Sequence, residues 1–438
     1  MAEKHIYLET FGCQMNVSDS EKIVTLLAGI GYHQVPEPGM ADLIILNTCS
    51  IRAKAEQKVY NHLSEYKGLK RKKPGLLVAV GGCVAQQEGE RLLANVPHLD
   101  LVFGTHNLHL LPEMVRAAEQ GERVAEVDFI DNDARLDLFP IAGDTGAISR
   151  FVTVMQGCDN YCSYCIVPYV RGREISRRSA EIIDEISAMV AKGVREVTLL
   201  GQNVNSYGLK SSGEMGFARL LQVVAKIDGI ERIRFSTSHP RDISAALIDC
   251  FAQLSKLCGH IHLPAQAGSD AVLARMNRGY SRRAYLDSVA KLKAARPDIQ
   301  ITGDIIVGFP GESEDDFQQT LALLEEVRYA DVFSFVYSPR PGTKAADYGQ
   351  EPGDTVKRER LDRLLNLQRR LTLENNKSFL GTRQQLLVEG ESRRGGQLFG
   401  RTTGNKVVNF KSALNLVGKL VDVCIVRADQ NSLFGELC

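Results

Sequence analysis

Three cysteines, Cys158, Cys162 and Cys165, stand in the run GCDNYCSYCIVPYVRGR at the spacing C-x3-C-x2-C. Three thiolates so placed can hold three irons of a [4Fe–4S] cube and leave the fourth iron open. An open iron can chelate the amino and carboxylate groups of S-adenosylmethionine (SAM), and an electron delivered through the cube then splits the sulfonium. The product is a 5′-deoxyadenosyl radical, strong enough to take hydrogen from an unactivated C–H bond. Side chains alone do not reach that chemistry, so a cofactor must carry it. A structural zinc knuckle is the plainer reading of clustered cysteines. It closes with four ligands, however, and no fourth Cys or His follows at short spacing.

Cys13, Cys49 and Cys83 are far apart in sequence, yet FGC, NTC and GGC each end a predicted strand. The carboxyl ends of parallel strands lie along one edge of a sheet, which is where ligands bind. The three thiols are therefore expected to converge there and hold a second [4Fe–4S] cluster with one open iron. Gly12 and Gly82 would let the backbone come close to it. Three buried thiols, or a single zinc with three cysteines and a water, are the rival readings. Cys250, Cys258, Cys424 and Cys438 share no pattern and are assigned to packing or the surface.

The elements that must position these residues can be read from apolar periodicity. In the first hundred residues, HIYLETFGC, ADLIILNTCS, LLVAVGGC and LDLVFG read as strands. Between them lie a helix in NVSDSEKIVTLLAGIG capped by Ser18, a polar helix from Arg52 to Tyr66, and a helix in EGERLLANV. This alternation implies a parallel sheet covered on both faces. Residues 106–147 lack periodicity and read as a connector. A second series follows: FVTVMQG, REVTLLGQN, RIRFSTSHP, HIHLPAQ, IQITGDIIVGFPGE and DVFSFVYSP, with helical stretches between. Six strand–helix units are two short of a closed eightfold barrel and leave a lateral mouth for a large substrate. A long charged helix runs from Asp354 to Phe379, and five short strand-like segments then predict a small β-barrel of the oligonucleotide-binding sort. The expected fold class is α/β in three domains: a parallel-sheet domain over 1–145, an open six-unit (β/α)6 partial barrel over 146–376, and the small β-barrel over 377–438.

Polar residues at the carboxyl ends of the second series are candidates to contact SAM or an adenine, because barrel active sites lie there. They are Gln202 and Asn203 after the second strand, Ser236 and Ser238 after the third, Gln266 after the fourth, and Asp304 inside the fifth. A strand carboxylate is costly unless paired, so Asp304 either meets a ligand in the lumen or pairs with an arginine. His239 is a turn residue or a SAM contact. Arg340, in SPRPGT, is placed to meet substrate or the SAM carboxylate. Two basic runs, Arg171–Arg173–Arg177–Arg178 and Lys70–Lys73, are solvated faces or phosphate contacts. In the tail, Arg393, Arg401 and Lys406 lie on predicted hairpins as substrate contacts, and of Phe399 and Phe410 at least one should fill the barrel core.

The chain of 438 residues is 44% apolar and 24% charged with a formal net charge of zero. That is an ordinary globular composition, with no global field toward nucleic acid, so an RNA would be held by local basic patches. No apolar run reaches membrane-spanning length, and MAEKHIYLETFGC lacks a secretory pattern. A cytoplasmic protein with reduced thiols is expected, and its ten cysteines then need an explanation other than disulfides.

The motifs together resemble the radical SAM methylthiotransferases over nearly the whole chain. The carrying segments are ETFGCQMN, NTCSIRAKAEQKV, GGCVAQQEGE, QGCDNYCSYCIVPYVRGRE, LLGQNVNSYG, FSTSHP, HLPAQAGSD, DIIVGFPGE and SPRPGTKAAD. The tail resembles the TRAM domain that binds RNA in that family. NTCSIR and LLGQNVNSYG look more like the members that act on dimethylallyl-adenosine in tRNA than like their siblings. Those siblings modify threonylcarbamoyl-adenosine or a ribosomal-protein aspartate. Lys344 departs from the family, which more often has Pro after RPGT. The resemblance implies that Cys158, Cys162 and Cys165 carry the radical SAM cluster and that Cys13, Cys49 and Cys83 carry an auxiliary one. It implies two SAM molecules. One methylates a sulfur held on the auxiliary cluster; the other yields the radical that takes hydrogen from C2 of the adenosine beside the anticodon. It further implies a tRNA partner, a reductant of the flavodoxin or ferredoxin type, and a monomer without membrane contact; the sulfur supplier is not implied. A non-enzymatic metal-dependent RNA-binding protein would explain the cysteines and the tail, but not the barrel.

Overall fold

The computed structural model describes residues 3–50, 53–130, 146–392 and 395–438. Its chain forms two compact units. The first takes Met1–Thr145 with Phe151–Asp159 and Cys165–Arg178; the second takes Gly146–Arg150, Asn160–Tyr164 and Ser179–Cys438.

In the first unit six strands form one sheet: Lys4–Thr10 (β1), Tyr32–Gln34 (β2), Leu43–Thr48 (β3), Leu77–Gly82 (β4), Leu101–Phe103 (β5) and Val124–Glu126 (β6). Their order is β2-β1-β3-β4-β5-β6, and every pairing is parallel. Strands β3 and β4 are buried throughout, as central parallel strands covered on both faces must be. Alternate residues feed two cores. Leu43, Ile45, Ala79 and Phe103 pack with Ile23 and Leu27 of the helix Gln14–Ala28 (α1), and Ile44, Leu46, Val78 and Val80 pack with Val59 and Leu63 of the helix Ala53–Lys72 (α2).

Two local expectations do not hold. Helix α1 starts at Gln14 with Cys13 as its N-cap, so Ser18 is no cap; it is buried inside the helix, 3.3 Å from the Thr153 hydroxyl. Two edge strands, β2 and β6, are three residues each and too short to show a period. The stretch taken as a connector contains the helix Leu111–Glu119 and β6.

The second series supplies all six expected strands: Ser149–Thr153 (β7), then, after the short pair Met155–Gln156 (β8) and Ile175–Ser176 (β9), Glu196–Leu200 (β10), Arg232–Ser236 (β11), His260–His262 (β12), Gln300–Val307 (β13) and Asp331–Val336 (β14). They form two three-stranded sheets, β11-β10-β7 and β12-β13-β14, linked by a single parallel bridge from Ile233 to Leu257. Strand β13 alternates strictly. Ile301, Ile305 and Val307 are buried, while Gln300, Thr302, Asp304 and Ile306 on the opposite face are half-buried.

After the helix Asp354–Lys377, five strands close a barrel in the order β15-β16-β17-β19-β18: Arg383–Glu391 (β15), Leu398–Arg401 (β16), Val407–Phe410 (β17), Leu420–Ala428 (β18) and Leu433–Leu437 (β19). Leu386, Val388, Val408, Phe410, Val423 and Ile425 fill it. Phe410 is thus the core aromatic. Arg232 donates to the carbonyls of Gln385 (2.7 Å) and Arg401 (2.5 Å), and Arg234 to those of Thr402 (2.8 Å) and Thr403 (3.1 Å). Two buried arginines of β11 therefore dock this barrel. Cys424 and Cys438, assigned to packing or the surface, are instead joined as a disulfide with their Cα atoms 5.7 Å apart. The antiparallel register of β18 and β19, which sets Cys424 opposite Glu436, carries Cys438 into reach.

Candidate cluster and cofactor site

In the first unit, Cys13 follows β1, Cys49 follows β3, and Cys83 opens the helix Cys83–Glu88 after β4. The three strands are neighbours in parallel register, Thr10 beside Asn47 and Thr48 beside Gly82, so their ends share one edge. The two glycines make that approach possible. A Cβ at Gly12 would lie 2.6 Å from the Cys49 Cβ, and one at Gly82, where φ is +89°, would lie 2.5 Å from the Thr48 carbonyl oxygen. Asn16 ties the edge together. Its Oδ1 accepts from the Cys13 N–H (3.3 Å) and Sγ (3.4 Å), and its Nδ2 donates to the Thr48 carbonyl (3.0 Å).

Arg171 sits at this edge. It is buried and donates to Asp19 at 2.7 Å, and its charge acts on the Cys83 and Cys13 thiols. A hydrogen bond with Cys49, reinforced by the Arg171 charge and the helix amides, holds the Cys13 thiol down to about 6 despite burial. Burial pushes the Cys83 thiol up, and the Arg171 guanidinium works against that rise. Thiols at one edge, a glycine cradle and a buried cation make a donor set suited to an anionic thiolate-bound cluster. Among the described residues, no three His, Cys, Asp or Glu side chains stand ready-made in a metal-holding geometry. Sequence reasoning placed Arg171 in a basic run. Its buried carboxylate partner, 152 residues away, shows otherwise. Arg177 is likewise buried, on the Thr153 carbonyl (2.8 Å), and Lys73 pairs with Asp42 (2.6 Å).

The C-x3-C-x2-C loop lies between β8 and the helix Val167–Arg171. Cys158 and Cys165 belong to the first unit, where the Cys158 N–H donates to the Gly172 carbonyl at 3.3 Å. Cys162 belongs to the second, and Arg278 donates to its Sγ at 3.2 Å. Arg278 is buried, and it also donates to the Pro264 carbonyl (2.9 Å) and the Tyr280 hydroxyl (3.0 Å). The sequence reading missed Arg278; nothing in its spacing marks it.

The strand-end candidates fall into two groups. Asn203 is engaged within the protein: its Oδ1 accepts from the His239 N–H (3.1 Å) and its Nδ2 donates to Asp242 (2.6 Å). Asp304 is paired with His262 at 3.4 Å, not with an arginine. Ser236 lies 3.4 Å from the Thr237 hydroxyl, and Gln202 is half-buried. In contrast, Ser238 Oγ, His239 Nε2 and Gln266 Oε1 are buried and unbonded. Three orphaned polar atoms on adjoining strand ends suit a polar ligand such as SAM. His239 takes the turn role weighed for it, since its Nδ1 accepts from the Arg241 N–H (3.3 Å). Arg340 is buried, and its carbonyl accepts from Thr343. Of the tail candidates, Arg401 pairs with Glu389 (3.1 Å), the Lys406 ammonium donates to the Ala330 carbonyl (3.1 Å), and Arg393 lies outside the described residues.

Three family models match the chain in sequence: "Uncharacterized protein family UPF0004" over residues 5–104, the radical SAM superfamily over 152–324, and the TRAM domain over 377–438. A solved radical S-adenosylmethionine methyltransferase, TsrM from Kitasatospora setae, shares the fold at a TM-score of 0.59 and 14% identity, covering 79% of this chain and 74% of its own. A half-barrel of six strands behind a C-x3-C-x2-C loop, with the superfamily match, defines the class as radical SAM enzymes. The chain is 73% identical over 436 residues to the tRNA-2-methylthio-N(6)-dimethylallyladenosine synthase of Geotalea uraniireducens (strain Rf4), covering 100% of this chain and 99% of that one. It is 66% identical over 434 residues to the synthase of that name from Geobacter sulfurreducens, covering 99% and 97%. The chain belongs to the family of tRNA-2-methylthio-N(6)-dimethylallyladenosine synthases.

Proposed function

We infer that this enzyme methylthiolates C2 of N6-dimethylallyladenosine beside the anticodon of tRNA. The reading is carried by Cys13, Cys49 and Cys83 at three neighbouring strand ends with Arg171 among them, in a chain 73% identical to a synthase of that name. Two [4Fe–4S] clusters are assigned, one to that triad and one to Cys158, Cys162 and Cys165. With SAM bound, such a cluster supplies one-electron cleavage of the sulfonium, and a second cluster with an open iron offers a seat for an exogenous sulfur.

The chain's own residues supply placement and charge. Arg171 and Arg278 each set a buried cation against a thiol, offsetting the negative charge of thiolate ligands. Ser238 and Gln266 present unbonded polar atoms to SAM, joined by Gln202 after β10, Ser236 at the end of β11 and Arg340 after β14. The TRAM barrel binds tRNA, with Arg401 at its edge. Among the described residues no helix is long and apolar enough to cross a membrane. The setting proposed with this function is the cytoplasm, with the enzyme a monomer reduced by a flavodoxin- or ferredoxin-type donor.

The test is anaerobic reconstitution with each triad replaced by Ala in turn. Wild-type chain should hold about eight irons, about four per triad, cleave SAM on reduction and methylthiolate a dimethylallyladenosine-bearing tRNA. Replacing Cys13, Cys49 and Cys83 should abolish methylthiolation and spare SAM cleavage. Colourless zinc-loaded protein that leaves SAM intact would sink the assignment.

A further inference from the structure

A second site lies outside the strand ends described above. Ser163, Ala274, Arg275, Asn277, Lys344 and Tyr348 line a cavity of about 370 Å³, within the size range of small-ligand sites. Ser163 directly follows Cys162, so the cavity shares a wall with the cluster loop. Its walls are unusual in charge. Arg278, next to Asn277 in the chain, is committed to Cys162 and Pro264. Arg275 and Lys344, by contrast, have no acidic partner among the described residues. The Arg275 guanidinium lies 6.0 Å from the centre of the Tyr348 ring, and its Nε is buried without a hydrogen bond. Gly311 leaves it room, since a Cβ there would come within 2.4 Å of the guanidinium carbon. Asn277 and Tyr348 are exposed, and Asn277 Nδ2 holds the Tyr161 carbonyl of the cluster loop at 3.0 Å. Lys344 is also exposed.

We propose that this cavity binds one nucleotide of the substrate RNA flanking the target adenosine. Arg275 and Lys344 take its phosphodiester, and the Tyr348 ring stacks on its base. Two unneutralised cations ask for an anion, and the adjoining aromatic ring and carboxamide ask for a planar, hydrogen-bonding group. A nucleotide carries all three in a volume of this size. The proposal deepens the tRNA reading above and rests on it for the identity of the RNA.

The experiment uses full-length reconstituted enzyme and a fluorescent anticodon stem-loop carrying dimethylallyladenosine. Lys344→Glu and Tyr348→Leu should each weaken RNA binding about five- to tenfold. Lys344→Glu should also lower the slope of log affinity against log salt by about 0.7, the loss of one single-strand phosphate contact. Lys344 is exposed, so Lys344→Glu does not depend on the packing that Arg275→Gln would disturb. RNA-independent SAM cleavage with dithionite should be unchanged in both. Unaltered RNA affinity and salt slope would overturn the proposal. So would normal RNA binding joined to a selective loss of turnover with a flavodoxin donor, which would give the cavity to a protein. Binding of adenosine monophosphate that does not compete with the stem-loop would assign it to a free nucleotide and overturn it as well. Failure of wild-type enzyme to cleave SAM would bear on the cluster assignment alone, because RNA binding is read separately.

Discussion

Arg171 donates to Asp19 at 2.7 Å, and both side chains are nearly inaccessible, at 3% and 7% exposure. The pair fixes the helix Val167–Arg171, which ends the cluster loop, to α1, which Cys13 caps. Removing one partner leaves the other as an uncompensated buried charge, at a cost of about 3–5 kcal/mol. Arg171→Met should therefore unfold at markedly lower urea concentration than wild type. The double variant with Asp19→Leu should recover part of the loss. Equal midpoints for the single and double variants would show that the pair is not coupled.

Gly82→Ala tests the glycine cradle. The added methyl would meet the Thr48 carbonyl at 2.5 Å in a left-handed backbone conformation, shifting the strand end that presents Cys83. Reconstituted variant should lose about four of its irons and its methylthiolation, and keep reductive SAM cleavage. Full iron content would contradict it.

Gln266 and Asn203 should separate cleanly. Gln266 Oε1 is unbonded, so Gln266→Ala should weaken SAM binding up to about tenfold, the worth of one net hydrogen bond, with little effect on folding. Asn203 is bonded to His239 and Asp242 instead, so Asn203→Ala should cost about 1–3 kcal/mol of stability. Calorimetric titration with SAM alongside urea unfolding reads both quantities. Equal losses of SAM affinity with unchanged stability would refute the division.

His239 gives a pH signature. Burial, aided by the Arg278 and Arg241 charges, lowers its pKa to about 2, so the folded protein keeps it neutral while the unfolded chain protonates it near 6.5. The unfolded state thus binds more protons between these values, and stability falls as pH drops below about 6.5. From pH 7 to pH 5 this one group removes about 2 kcal/mol. His239→Asn should lessen the fall over that interval by a similar amount, and parallel stability profiles for the two proteins would exclude the effect.

Arg234→Ala should strip Glu196 of its 3.0 Å partner in a buried site and loosen the TRAM barrel, which loses its bonds at Thr402 and Thr403. Limited proteolysis should then release a fragment of about the size of residues 377–438, and Lys406→Ala should leave the RNA salt slope unchanged, since its ammonium already serves the Ala330 carbonyl. A proteolysis-resistant Arg234→Ala would count against the docking role.

Much of this protein is local and therefore legible in its sequence. Continuous apolar runs set β3 and β4, and the strand–cysteine junctions at 13, 49 and 83 needed only the rule that parallel strands end on one edge. Tertiary structure alone decided the pairings between distant residues. Arg171 meets Asp19 across 152 positions, Arg278 meets Cys162 across 116, and Asp304 meets His262 in place of an arginine. Strand register brought Cys438 to Cys424, and three-dimensional docking set Lys406, a hairpin cation in the sequence, half-buried on the Ala330 carbonyl. Periodicity records which face of an element is apolar. The partner that a buried charge finds is set by how faces come together, and no spacing along the chain encodes it.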